Sequence, residues 1–594
     1  DSALTIVATQ PLRTLNGFIS LSGSPAQVYV DAVNFSILVQ DSKGTTVFSV
    51  PEGTGISPNA SGVVYDPAGT GAVATTVQTK LRESVSVKDF GAVGDGTTDD
   101  TAAVQAAVDA GYCVDFLSAA YTYKITGAIT LRSGQTIIGS GATIKQTTNV
   151  TSIFNVVNKT NINISGLTFD DTGAGYVTND STPHAAVFGG TGTAYVSVSN
   201  CKFTNVTYAA LRFSDSDVIS LTENVIVGPG VATLPSNTNL RCYGILIDTG
   251  SSRYIANNNQ ITGTTHGIRI EGSANGTCNG NVIYNIPGQH GFYIGANCQN
   301  LTISANSVTL IALQGIKVQA QNGYTDTSEI NVIGNVVASC SDNGITFSNG
   351  AGPTAQTAKV TNSIIADNTI RDIGGSGVNV QNSIQTSIYG NTIYGCTFSG
   401  VIYSACDFLD ISLNQITNCA LSGIRDQAVS PTVRIDGNIL YNVATAATAG
   451  DKYGIFVQNL GAYTITNNRV SGSAGTMQYG LYLAAGAQTA TILENNYFLT
   501  GLDAGMRGAS SSDAFLSIKN NVLLGTVPST NAPILPIVAS AATITLPTQA
   551  DVVRITGTTN ITSINAAGHT GHRVTLLFDD SLTVTRGSNL YAAS

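Results

Sequence analysis

One short pattern of apolar and variable positions repeats along most of the chain. A glycine is followed by apolar residues at the first and third positions after it, with a variable residue between. Gly244-Ile-Leu-Ile, Gly267-Ile-Arg-Ile, Gly291-Phe-Tyr-Ile and Gly315-Ile-Lys-Val are successive copies, and the series continues from Gly344, Gly377, Gly400, Gly423, Gly454 and Gly480. Ala210-Leu-Arg-Phe is an earlier form. A second motif, Asn-x-apolar, interleaves with it at Asn224, Asn259, Asn281, Asn306, Asn335, Asn368, Asn391, Asn414, Asn438, Asn468, Asn496 and Asn521, in steps of 22 to 35 residues. Apolar alternation with period two predicts strands, and the repeating unit holds no amphipathic stretch of helix length. Two motifs sharing one period mean one unit of two or three short strands, stacked strand on strand around a buried inner set of side chains. The expected fold class is all-β, a single-stranded parallel β-helix with coils about 4.8 Å apart.

Each recurrent residue has a structural reading. An Asn at the same turn of every coil is expected to bond its neighbours as an amide ladder. The Gly column marks a turn that needs φ > 0 or has no room for Cβ. Ahead of the repeats, Thr98 is the expected N-cap of a short helix whose Val104 and Val108 face inward and which Gly111 ends. Such a helix would cover the open first coil.

Composition agrees. Only 10% of the 594 residues are charged while 42% are hydrophobic, Gly numbers 63, and Trp is absent. A net charge of −10 argues against a nucleic-acid partner. No apolar run reaches the roughly 20 residues of a membrane span, and no signal peptide is visible. The nine Cys are scattered without a CxxC pair and read as reduced core residues, so neither a metal nor a cofactor is expected. The chain opens on Asp1 and stops at Ser594 without an evident closing strand, so a piece of a longer protein is expected.

The stretch from Asp89-Phe-Gly-Ala-Val-Gly-Asp-Gly-Thr-Thr-Asp-Asp to Gly111 resembles the opening of pectate-lyase-like β-helices, found in polygalacturonases and phage tailspikes. Tyr65-Asp-Pro-Ala-Gly-Thr-Gly through Arg82 looks like the neck joining a virion-binding head to such a helix. The alternating runs at Gln27–Val30, Phe35–Val39 and Thr46–Ser49 resemble phage head-binding domains. The resemblance implies a right-handed helix with small terminal β-domains. It divides the chain into a head and neck at 1–80, a cap and first coil at 81–125, the β-helix at 126–527, and a C-terminal β-domain at 528–594. It implies a bacteriophage tailspike and polysaccharide depolymerase. Its partners would be a bacterial capsule or O-antigen polysaccharide and a phage head or tail connector. It would be a homotrimer located on the virion and made in the host cytoplasm.

Function on a β-helix lies outside, where alternate residues stack in columns. Counting from each Gly, the second position gives Arg212, Leu246, Arg269, Tyr293, Lys317, Thr346 and Asn379 in turn; the fourth gives Ser214, Asp248, Glu271, Gly295 and Gln319. Asp248 and Glu271 thus fall side by side on adjacent coils. Close carboxylates resist joint ionisation, which supplies an acid and a base for glycosidic hydrolysis. Separations of about 5–5.5 Å suit retention and about 6.5–9.5 Å inversion, and both stay open. The bland alternative is a pair of solvated surface residues balanced by Arg269. Asp215 and Asp217, one coil earlier, are the next catalytic candidates. Arg212, Arg269 and Lys317 are candidates for binding acidic sugars, and Tyr293 for stacking on a sugar ring. His266 and His290 flank the same patch, either packed at a turn or serving a lyase as base. Asp342 and Asp372 are candidates for a second groove. A lyase or a binding-only adhesin are the competing functions.

Overall fold

A computed structural model gives the structure of the chain. It describes strands between residues 14 and 54, then residues 60–148, 152–172, 184–230, 242–349, 357–446, 452–472 without 460, and 477–499 without 485–487, followed by shorter segments between 506 and 585. The chain divides into two compact units, Asp1–Ser84 and Val85–Ser594.

In the first unit, Thr14–Leu15, Phe18–Leu21 and Ser24–Pro25 form one antiparallel sheet. Asn34–Gln40 pairs antiparallel with Thr46–Thr54, where alternation predicted two strands. The run at Gln27–Val30 lies outside the described residues. Val64–Tyr65 pairs with Thr75–Thr76, and the helix Val77–Leu81 starts where the Thr76 hydroxyl accepts the Thr79 N–H at 3.1 Å.

The second unit is a parallel β-helix. Three sheets run its length, each built from one strand per coil and parallel throughout. We call them A, from Val85–Ser86 to Phe515–Lys519; B, from Asp95–Asp99 to Val522–Leu524; and C, from Ile129–Thr130 to Met506–Arg507. Inward residues of successive coils stack, as Ile245, Ile268, Phe292, Ile316 and Ile345 do in sheet C, all fully buried. That stacking fills the tube with one continuous apolar core.

The Asn column holds the corner between sheets A and B. Each Oδ1 accepts two bonds from the preceding coil: Asn224 N and Nδ2 reach Asn259 Oδ1 at 3.1 and 3.0 Å, and the pattern runs unbroken to Asn521. Each Nδ2 also donates to a carbonyl further back, as Asn335 does to Ile303 O at 2.9 Å. All the polar capacity of a buried amide is therefore used within the ladder.

The glycine column answers its own alternative. These residues lack a positive φ; a Cβ on Gly267 would stand 2.5 Å from the Gly291 carbonyl oxygen and 2.6 Å from Ile283 Cγ2. Lack of room, not handedness, selects glycine there.

The capping helix forms over Thr101–Ala110, with Val104 and Val108 fully buried. Thr98 is not its N-cap. Asp95–Asp99 is the first strand of sheet B, with Asp95 Oδ1 accepting the Thr97 and Thr98 N–H groups, and the cap position belongs to Asp100. Pairing with Thr122–Ile125 outcompetes an earlier helix start.

Beyond residue 536 the strands pair in parallel again: Ile537–Ala539, Val552–Thr556 and Thr575–Phe578 in one sheet, Thr543–Thr545 with Ser563–Asn565 in another. A separate core of Ile544, Leu546, Val553, Ile555 and Ile561 fills them.

Candidate functional site

Sheet C is the face on which the chain adds material. The corner from A to B takes two residues, as between Thr222 and Val225. The intervals on either side of C are longer, from Asp170 to Ala185, Val227 to Tyr243 and Ser348 to Val360. Strand pairing places Arg212 beside Leu246, then Arg269, Tyr293, Lys317, Thr346 and Asn379 in one outward column. This is the column expected from counting after each glycine.

Asp248 and Glu271 follow the paired residues Ile247 and Ile270 on adjacent strands, so the structure brings them together. Each has its own guanidinium. Arg212 Nη2 reaches Asp248 Oδ2 at 2.8 Å, and Arg269 Nη2 reaches Glu271 Oε1 at 2.5 Å. The acid side chains keep 19% and 25% of their exposure, so both remain accessible to a ligand. The next residue of this column is Gly295, over which the Glu271 side chain extends.

Aromatic rings floor the two arginines. Arg212 lies 5.7 Å from the Phe188 ring and 5.5 Å from Tyr208; Arg269 lies 5.1 Å from Tyr243 and 5.4 Å from Tyr293. Such contacts fix a guanidinium plane without neutralising it. The Tyr243 hydroxyl also accepts from Arg269. Tyr208, Tyr243, Leu246 and Ala185 form an apolar cluster outside the tube. Tyr208 and Tyr243 fall outside the positions that follow each glycine; the sequence signal for Tyr243 is an aromatic just before Gly244.

His266 and His290 are buried and sit in the same ring stack, 5.4 Å apart, with His290 stacked 5.5 Å from Tyr293. Burial, helped by the Lys317 and Arg269 charges, pushes His290 down to about 3. It is therefore neutral at physiological pH and offers a ring, not a charge. Burial also raises Tyr293, whose hydroxyl accepts from Gln321 at 3.1 Å.

Asp215 and Asp217 are not in this column. Asp215 occupies the turn leaving sheet C, where Thr191 donates to it at 3.3 Å. Asp217 lies on sheet A, paired with Arg253, whose hydrogen bond holds its carboxyl below the usual range. Asp342 lines a groove of about 270 Å³ with Lys317, Thr346 and Asn379. Asp372 is outside that lining, exposed and paired with Arg371 at 2.9 Å.

Two buried acids went unnoticed in the sequence. Asp171 accepts from Thr207 Oγ1 at 2.6 Å and meets His184 Nε2 at 3.0 Å, joining the two ends of the interval between Asp170 and Ala185. Asp426 points into the tube at the inward position where other copies place an apolar residue, and its Oδ2 accepts Asn459 N at 2.8 Å. Eight of the nine Cys are buried, all are free, and burial raises the thiols of Cys278 and Cys298 to about 12. Among the described residues, no group of three or more His, Cys, Asp or Glu side chains converges as metal ligands, and no helix is long and apolar enough to cross a membrane.

Comparison with known proteins bears on the fold. A family model described as rhamnogalacturonase A/epimerase, pectate lyase-like, matches residues 84–317, and one for the right-handed β-helix region matches 314–496. The fold is the right-handed parallel β-helix. Similar chains include the mannuronan C5-epimerases AlgE5 and AlgE2 of Azotobacter vinelandii, each 43% identical over 67 residues. Those matches cover 9% of this chain and 7% of either epimerase, so the chain spans less than a tenth of these relatives. A mutant tailspike protein of E. coli bacteriophage HK620, solved with a pentasaccharide, shares the β-helix at 14% identity and a TM-score of 0.51, covering 78% of this chain and 82% of that one. Tailspike protein 3 of bacteriophage CBA120 has 13% identity and a TM-score of 0.41, covering 81% and 68%.

Proposed function

We propose that the protein is a phage tailspike that binds a bacterial capsule or O-antigen polysaccharide and cleaves its glycosidic bonds by hydrolysis. The observation that carries this is the adjacent pair Asp248 and Glu271 on the outward face of sheet C, braced by Arg212 and Arg269 over aromatic rings. One carboxyl protonates the departing glycosidic oxygen. The other, as carboxylate, takes a proton from the attacking water or attacks the anomeric carbon itself. Each carboxylate starts ion-paired, and substrate that draws one guanidinium away frees that carboxyl to meet the glycosidic oxygen. An anionic sugar substituent binding Arg212 or Arg269 does that. Tyr293 offers a ring face to a sugar at the edge of the pair. The family model naming a polysaccharide-acting enzyme supports the reading. Attachment to a phage head or tail connector through residues 1–80, a C-terminal β-domain at 528–594 and assembly as a homotrimer belong to the same proposal.

The test is mass spectrometry of oligosaccharides released from a panel of capsules and O-antigens. Wild type is expected to release fragments carrying one added water, and Asp248→Asn and Glu271→Gln to release few or none. Full activity in both variants overturns the site. Fragments with an unsaturated, ultraviolet-absorbing end establish β-elimination across a uronic acid instead. One observation favours that second reading: part-buried Lys317, whose ammonium burial pushes below its usual value, is a candidate base in the same outward column, two coils beyond Arg269.

A further inference from the structure

We propose that the groove at Lys317 is a subsite for the carboxylate of an acidic sugar residue, distinct from the carboxylate pair. The inference rests on the polysaccharide reading above and adds the class of sugar.

The groove holds about 270 Å³, just under the roughly 300–1,000 Å³ of small-molecule pockets. Its walls are polar throughout, from Gln314 and Asp342 on adjacent coils to Asn379 and Gln381 on the next. Three wall atoms are buried and lack a hydrogen-bond partner among the described residues: Gln314 Oε1, Thr346 Oγ1 and Asn379 Oδ1. Just past the wall residue Ser348, Asn349 is only 2% exposed, and neither its amide oxygen nor its nitrogen has a partner among the described residues. Native proteins rarely leave buried polar atoms in this state, because each has lost its water without gaining a partner. A clustered set of unmet donors and acceptors fits a ligand whose every hydroxyl can both donate and accept, which describes a sugar.

Charge narrows the class. Among the described residues Lys317 is the only cation in the groove wall, and its ammonium makes no hydrogen bond or ion pair. Burial disfavours its charge, and Asp342 opposes that only from a distance. Asp342 is itself engaged by the Gln314 side-chain amide. A part-buried ammonium without a close counter-ion is an anion site with one place to fill. Lys317 is two coils from Arg269, about 10 Å along the stack, so a glycan lying along sheet C meets both. A uronate residue supplies the carboxylate for Lys317 and the hydroxyls for Asn379 and Thr346.

The experiment is calorimetric titration of the full chain with glucuronate, glucose and glucose 6-phosphate. Glucuronate is expected to bind at least tenfold tighter than glucose or glucose 6-phosphate. Lys317→Met should erase that preference and Lys317→Arg retain it, with unchanged thermal melting certifying the fold. Equal binding of glucuronate and glucose, a preference for the phosphate, or no detectable binding of glucuronate overturns the proposal. So does a preference that survives Lys317→Met. The wild-type arm decides even where a variant does not fold. Failure of the depolymerase reading would show instead as absent fragments in the release assay, which does not depend on glucuronate binding.

Discussion

Glu271 reaches over Gly295: a Cβ added to that glycine would stand 2.6 Å from Glu271 Cγ and 2.8 Å from Oε1. Gly295 has no positive φ, so alanine there meets no backbone strain, only the side chain of the candidate catalytic acid. Gly295→Ala is therefore expected to leave melting nearly unchanged while displacing the Glu271 carboxyl. A shift of about 1 Å is enough to lower turnover on the order of a hundredfold. Polysaccharide release by the variant, measured beside its circular dichroism melt, checks this; full activity would show that Glu271 has another place to go.

Removing either carboxylate charge should lower cleavage by about 10²–10⁴-fold if the two act as acid and base. The double variant Asp248→Asn, Glu271→Gln is expected to fall no further than roughly the worse single variant, because groups acting as a unit are not additive. Asp217→Asn is expected to change activity little, since Asp217 serves Arg253 on sheet A. Rates of reducing-end release from one susceptible polysaccharide give all four values.

The amide ladder predicts a stability effect far from any chemistry. Asn335→Ala removes the oxygen that accepts both Asn306 N at 3.0 Å and Asn306 Nδ2 at 2.9 Å. Each orphaned buried donor costs on the order of 1–3 kcal/mol. Denaturant unfolding should show that loss, and Asn335→Asp should not restore it fully, because the carboxylate accepts but cannot donate to Ile303 O.

The outward columns were legible because glycine spacing sets register whatever the interval between coils, so Arg269 beside Tyr293 followed from counting. The partners of the acids were less so. Arg212 reaches Asp248 diagonally, from the second position on one coil to the fourth on the next, and a straight column does not show diagonals. Asp217 reads as an extension of its strand, but the chain turns a corner at Asp215, whose φ of 44° ends sheet C there. Thr98 has the chemistry of a cap and lost to strand pairing with the following coil. These misses share a cause: corners and diagonals are set by three-dimensional neighbours that linear spacing does not encode.

Asp426 predicts a pH dependence. Its folded carboxyl is raised above the ordinary 3.8 because burial outweighs the bonds from Asn459, Gln458 and Tyr463. The folded state thus holds this proton more tightly than the unfolded chain. Its contribution favours folding at low pH and is lost as pH rises through the folded value. Asp426→Asn removes the titration, so its melting temperature should vary less than wild type between about pH 4 and 7. A wild-type and variant pair with parallel curves over that range would contradict the assignment.

From Gly244 onward the glycine column and the amide ladder fix register at two places in the coil, yet the steps between ladder positions range from 22 to 35 residues. All of that variation is taken up beside sheet C. The tube works as a rack of equal shelves on which segments of unequal size can be exchanged one at a time. Recognition of a new glycan then calls for a different segment on one shelf, with the shelves themselves left alone.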